Sequence, residues 1–175
     1  MYSLGEIDTA QSLLKTQIPE VKIIDGWDTK NYVETVTKNT PDQILLQATL
    51  KTGAVLSIHL QGGHPPPFDP KFLWRIYGEK GDIEVSGDSS MLNVRTEGSK
   101  IRFHDRESGK VEDIVLDKDP LGDLPVPARN IGRIYEEYVS GDENFLVTFE
   151  EAFQRHVLIG KMLKHWDDKD QGWRL

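Results

Sequence analysis

The side chains best equipped for chemistry in this sequence are His59, Arg75 and Tyr77: an imidazole, a guanidinium and a phenol. An imidazole changes charge near neutral pH and can move a proton. The guanidinium and the phenol can hold a developing negative charge through hydrogen bonds. Around them stand groups suited to binding without reacting: Gln43, Gln47, Gln61, His64, Phe68 and Trp74. Together they describe a site for a small, largely apolar molecule, converted without redox chemistry in a cyclase- or isomerase-type reaction. His59 has a second reading, as an interface or edge-strand histidine. His59 and His64 lack a third ligand at metal-binding spacing, so no metal is expected. No H-E-x-x-H, P-loop or serine-nucleophile motif occurs.

The elements that must position these groups follow from period-two alternation. Gln43–Leu50 and Ala54–Gln61 flank Lys51-Thr52-Gly53, a three-residue hairpin loop with glycine where a left-handed conformation is needed. Pairing Leu50 with Ala54 sets His59 opposite Leu45 and diagonal to Gln43 and Gln47. Leu56, Ile58 and Leu60 then share a face with Ile44, Leu46 and Ala48, while the polar set points the other way. Phe72–Tyr77 is read as the next strand, adding Leu73, Arg75 and Tyr77 to the polar face. Asp82–Ser86, Met91–Arg95, Lys100–His104 and Val111–Leu116 continue the meander. The run Gly62 to Pro70, with Pro65-Pro66-Pro67, is either a stiff connector or a rigid wall with Phe68 turned inward.

Asp8–Lys15 reads as a helix stopped by Pro19, followed by strands at Val21–Ile24 and Tyr32–Thr37. Towards the C-terminus, Pro125 and Pro127 open a helix that ends at Ser140 with Gly141. Thr148 and Glu151 form a capping box for a last helix. Its apolar stripe is Phe149, Ala152, Phe153, His156, Ile159, Gly160 and Leu163, which places His156 in the core. Trp166 and Trp173 flank an acidic tail that docks back or onto a partner. The expectation is a single α+β domain over 1–175: an open-faced, mostly antiparallel sheet with helices packed on one face.

Composition narrows the partners. The 175 residues carry 21 Lys+Arg against 29 Asp+Glu, a net charge of −8, which disfavours nucleic acid and anionic membrane. No membrane-length apolar run or signal peptide is visible, and zero Cys fits a cytoplasmic protein. Three strands with uncharged, half-polar side chains on one face call for a cover. A homodimer through the open sheet face is the simplest one, with a small-molecule ligand as the other expected partner.

Several stretches, in order, resemble a known family. They include Gly5-Glu6-Ile7-Asp8-Thr9-Ala10, Thr40-Pro41-Asp42-Gln43-Ile44-Leu45, Ile58-His59-Leu60-Gln61-Gly62-Gly63, Leu73-Trp74-Arg75-Ile76-Tyr77-Gly78, Gly81-Asp82-Ile83-Glu84-Val85, and Phe149-Glu150-Glu151-Ala152-Phe153. The set resembles the C-terminal half of Gfo/Idh/MocA oxidoreductases, in the fungal branch that contains the galactose-pathway repressor. In full-length relatives this half follows a dinucleotide-binding domain with a glycine-rich turn and a Glu-Lys-Pro motif, neither of which occurs here. The family's catalytic His three residues before an Asp is also missing: Asp8 fits the Asp, but Gly5 stands at the His position. The resemblance therefore implies no dinucleotide cofactor for this chain. It leaves open a dimerisation or regulatory module, or the inactive half of an NAD(P)-dependent oxidoreductase.

Overall fold

The computed structural model describes residues 4–26, 30–63, 68, 70–89, 98–141, 148–167 and 172–174. They fall into two compact units, Met1–His64 with Val147–Leu175, and Pro65–Leu146.

The first unit is built on a four-stranded antiparallel sheet. Its first strand, β1 (Ile7–Lys15), lies where a helix is expected. Ala10 and Leu14 are four apart, a spacing that suits both periods; what decides is Ser12, buried between them, while Gln11, Leu13 and Lys15 are exposed. A helix would also forgo the cross-strand bonds that β1 makes along its length. After it come β2 (Glu20–Ile24) and β3 (Tyr32–Thr37), a separate two-stranded ribbon, then β4 (Gln43–Leu50) and β5 (Val55–Gln61). Gly53 takes φ +87° in the β4–β5 turn. There Leu50 N–H donates to Ala54 O at 2.8 Å and Gly53 N–H to Leu50 O at 2.8 Å, as a three-residue loop requires.

On one side of this sheet three cross-strand rows are apolar apart from Ser12: Ala10–Ala48–Leu56, Ser12–Leu46–Ile58 and Leu14–Ile44–Leu60. The last helix of the unit supplies Met162 and Leu158 to this core. Its start is the expected capping box: Thr148 N–H donates to Glu151 Oε2 at 2.8 Å, and Glu151 N–H to Thr148 Oγ1 at 3.2 Å. The buried side of that helix is not the expected stripe. Leu158 and Met162 face the sheet and Arg155 pairs with Glu6, which turns Phe149, Phe153, His156, Ile159 and Leu163 outward. The backbone of Gly172–Arg174 does dock back, adding a strand beside β1 with Trp173 opposite Ser12.

The second unit holds an antiparallel meander, β6 (Phe72–Tyr77), β7 (Gly81–Gly87), β8 (Lys100–Asp105) and β9 (Val111–Asp113). Here β6 is the end strand of its own sheet and is not the hydrogen-bonded neighbour of β5, contrary to expectation. Alternation assigns a residue to a face but says nothing of which strand lies alongside. Expected as far as Leu116, β9 stops at Asp113; Ile114 N–H still reaches Ile101 O at 2.8 Å, and Val115 is exposed. The helix α1 (Val126–Ser140) starts on proline and ends at a left-handed Gly141, as expected. Arg129 ties it to the carbonyls of Gly122 and Leu124, and Arg133 to Asp119, yet none of its residues is buried. The last helix, α2, spans Phe149–Asp167, and the closing strand Gly172–Arg174 is β10. The expected strand Met91–Arg95 and Trp27 lie outside the described residues.

Candidate functional site

The other side of the first unit's sheet is the open face. Register arranges it in four rows: Thr9–Thr49–Val55, Gln11–Gln47–Ser57, Leu13–Leu45–His59 and Lys15–Gln43–Gln61. His59 stands opposite Leu45, as the hairpin geometry predicts. Polar groups here pair with one another: Thr9 and Thr49 hydroxyls lie 2.6 Å apart, and Gln47 Nε2 donates to Ser57 Oγ at 2.8 Å. Leu13 keeps 46% and Val55 81% of its surface exposed. Lys15 is the one charge that β1, β4 and β5 bring to these rows, and β10 extends the Gln11 row with Arg174. Such a face is polar enough to meet water and neutral enough to meet another protein surface.

One end of this sheet is fixed by Asp42, buried just before β4. Its carboxylate accepts the N–H groups of Gln17 at 2.9 Å and Ile18 at 2.8 Å, and Lys38 Nζ at 2.9 Å. These bonds, led by the Gln17 N–H, hold the Asp42 carboxyl well below the usual carboxylate range. Gly62 N–H donates to Asp42 O at 2.6 Å, and the next residue, Gly63, has φ +100° with a Cβ position that would collide with Ile18. The glycine doublet thus serves close packing around a buried carboxylate.

The second unit presents a different face. Its rows are Leu73–Ser86–Lys100, Arg75–Glu84–Arg102–Asp113 and Tyr77–Asp82–His104–Val111. Glu84 accepts Arg75 Nε at 2.8 Å and also pairs with Arg102, so the two guanidiniums, Arg102 first, depress its carboxyl. In return Glu84 raises Arg75, with a smaller contribution from Tyr77. Asp82 meets His104 Nδ1 at 3.1 Å and Arg106 Nη2 at 2.6 Å, and both lower its pKa, His104 more. Two open grooves, about 560 and 220 Å³, run along this ladder and share Arg75, Glu84 and Arg102.

The expected site residues divide between the units. His59, Gln43, Gln47 and Gln61 lie together on the open face of the first, with His59 exposed. Arg75 and Tyr77 lie on the charged face of the second, and Trp74 points to the opposite side in a row with Val85 and Ile101. Phe68 is 76% exposed rather than turned inward, and His64 lies outside the described residues. His104, at the end of the expected strand Lys100–His104, is half-buried against Asp82. Glu84, Asp82 and Asp42 were not singled out by the sequence. For Glu84 the available signal was the β6–β7 register, which sets it opposite Arg75, and for Asp82 the β7–β8 register, which sets it opposite His104. Among the described residues no helix is long and apolar enough to cross a membrane.

In fold and sequence the chain is similar to the C-terminal, sheet-bearing half of Gfo/Idh/MocA-type oxidoreductases. Residues 1–87 match the family described as Gal80p, C-terminal domain. It is 23% identical over 164 residues to dehydrogenase aclE of Aspergillus oryzae, covering 93% of this chain and 42% of that protein. To the galactose/lactose metabolism regulatory protein GAL80 of Saccharomyces cerevisiae it is 32% identical over 85 residues, 47% of this chain and 19% of the other. Its fold matches the apo form of levoglucosan dehydrogenase with a TM-score of 0.62 at 14% identity, over 97% of this chain and 46% of that one. The chain thus spans less than half the length of these relatives.

The oxidoreductases of this class imply a dinucleotide, and the described residues do not fit one. Its diphosphate needs a glycine turn whose free N–H groups open a helix. Here Gly62 N–H is already bonded, and the buried Asp42 carboxylate stands beside it.

Proposed function

We propose that this chain is a cytoplasmic binding and self-association module of regulatory type, in which the open face of the first unit is covered by a second copy. The observation that carries this reading is the low charge of this face: across four rows β1, β4 and β5 contribute Lys15 alone and β10 adds Arg174, in a chain with 29% charged residues. A face meant for water alone usually alternates Lys and Glu, whereas a recognition face is depleted in them. The exposed Leu13 and Val55 supply apolar contact, and the amide and hydroxyl rows supply hydrogen bonds to a two-fold mate. The similarity to GAL80, a regulatory protein by name, supports the same reading.

Sedimentation equilibrium of the full chain tests it. We expect self-association at micromolar concentration and, for Leu45→Lys at the centre of the face, association at least roughly tenfold weaker. A monomeric wild type, or a Leu45→Lys variant that associates equally well, would contradict it.

A second reading has its own observation: the similarity to dehydrogenase aclE runs over 93% of this chain. On that reading the chain supplies the sheet half of an oxidoreductase and works with a dinucleotide-binding polypeptide. Cyclase- or isomerase-type turnover draws no support from the similarities, and Arg75, one of its expected residues, is held by Glu84.

A further inference from the structure

The first unit ends in an unguarded strand. Among the described residues, in the order β10-β1-β4-β5, β5 has a partner strand on one side only. Because Leu50 N–H bonds to Ala54 O and the register then advances without a slip, inward and outward backbone groups alternate along β5. The N–H and C=O of Leu56, Ile58 and Leu60 turn to β4. Those of Val55, Ser57, His59 and Gln61 turn to the free side.

Sheet edges are normally protected by charge, proline or short length. Among the described strands the other ends follow that rule: β10 has three residues and Arg174, β9 has three residues with Glu112 and Asp113, and β6 carries Arg75. The β2–β3 ribbon carries Glu20, Lys22 and Glu34. Val55–Gln61 has seven residues, no charge and no proline.

We infer that the free edge of β5 pairs antiparallel with β5 of a second copy, around a two-fold axis at Ile58. The occupant follows from self-complementarity. Centred on Ile58, the apolar positions of the strand are symmetric: Leu56 meets the partner's Leu60 and Ile58 meets the partner's Ile58, while Ser57 meets the partner's His59. The outward groups of Ser57 and His59 then fall in hydrogen-bonded pairs, and Ile58 falls in a non-bonded pair, where cross-strand side chains come closest. Leu60, 56% exposed in the single chain although Ile44 stands opposite it, gains a second apolar neighbour on its free side. A strand without charge meets its copy without repulsion, and main-chain bonds supply the affinity. This contact uses the backbone edge and the apolar side of β5, and it is independent of the covering of the open face.

Amide hydrogen exchange on the full chain, read residue by residue at low and high protein concentration, separates the two contacts. We expect Ser57 and His59 amides to exchange at least tenfold more slowly at high concentration. That protection should be lost in Leu60→Lys, whose side chain lies off the open face, and kept in Leu45→Lys. A synthetic peptide of the Val55–Gln61 sequence, added in excess to dilute wild-type protein, should restore it without any variant. Ser57 and His59 amides that exchange equally fast at every concentration and with the peptide would overturn the edge contact. So would protection that Leu60→Lys keeps and Leu45→Lys loses, a result that leaves the covered face standing.

Discussion

The open faces of the two sheets share one antiparallel pairing scheme and carry opposite chemistry. In the first unit, rows such as Gln11–Gln47–Ser57 and Leu13–Leu45–His59 mix amides, hydroxyls and leucine. In the second, Arg75–Glu84–Arg102–Asp113 alternates in sign across four strands. The difference continues beneath the faces. The first unit buries Ala10, Leu14, Leu46, Ala48 and Met162, whereas the described residues of the second bury no apolar side chain. A sheet with its own core can spare a neutral face for recognition. On the second sheet the described face carries cross-strand charge, and half-exposed ion pairs are weak supports.

Cutting into the core gives the sharpest test of that contrast. Leu46→Ala should cost about 3–4 kcal/mol in a urea melt, by removing a 6% exposed side chain at the centre of its row. A loss under about 1 kcal/mol would mean that the first unit is not held by this core.

Next in size is the carboxylate that fixes the end of the same sheet. Asp42 has a folded pKa below its unfolded value, so the unfolded chain takes up the proton first. Its stabilisation is therefore complete above about pH 4 and is lost as pH falls below that through the folded value. Asp42→Asn should lower the melting temperature at neutral pH by several degrees and flatten the acid limb of stability against pH. Wild type and variant with parallel acid limbs would show that Asp42 contributes nothing to the pH dependence.

The smallest effect should come from the charged ladder. Glu84→Gln releases Arg75 and Arg102, both about half exposed, and should shift the melting temperature by a few degrees at most. High salt should shrink the difference between variant and wild type, because exposed charges are screened. A large, salt-independent loss would erase the contrast between the two units.

Local grammar was legible in the sequence where neighbours in sequence are neighbours in space. The β4–β5 register, with His59 opposite Leu45, follows from Gly53 and alternation alone. The Thr148–Glu151 capping box and the stop at Gly141 are equally local. Longer-range facts were not legible. Ala10 and Leu14 fit a helix as well as a strand until β4 and β10 claim the backbone between them. Similarly, α2 offers two apolar stripes, and the one that is buried is set by Arg155 finding Glu6. The candidate site was half legible: alternation put His59 and the glutamines on one face. It could not tell that Arg75 sits in a different sheet beside a carboxylate.

The central claim is that the neutral face of the first unit, and not the charged face of the second, is the recognition surface. Sedimentation equilibrium on matched variants tests it most directly, with one acidic side chain added to each face. Gln47→Glu should weaken self-association at least roughly tenfold, while Ser86→Glu should leave it unchanged. If Ser86→Glu is the variant that dissociates and Gln47→Glu associates like wild type, the roles assigned to the two faces are reversed.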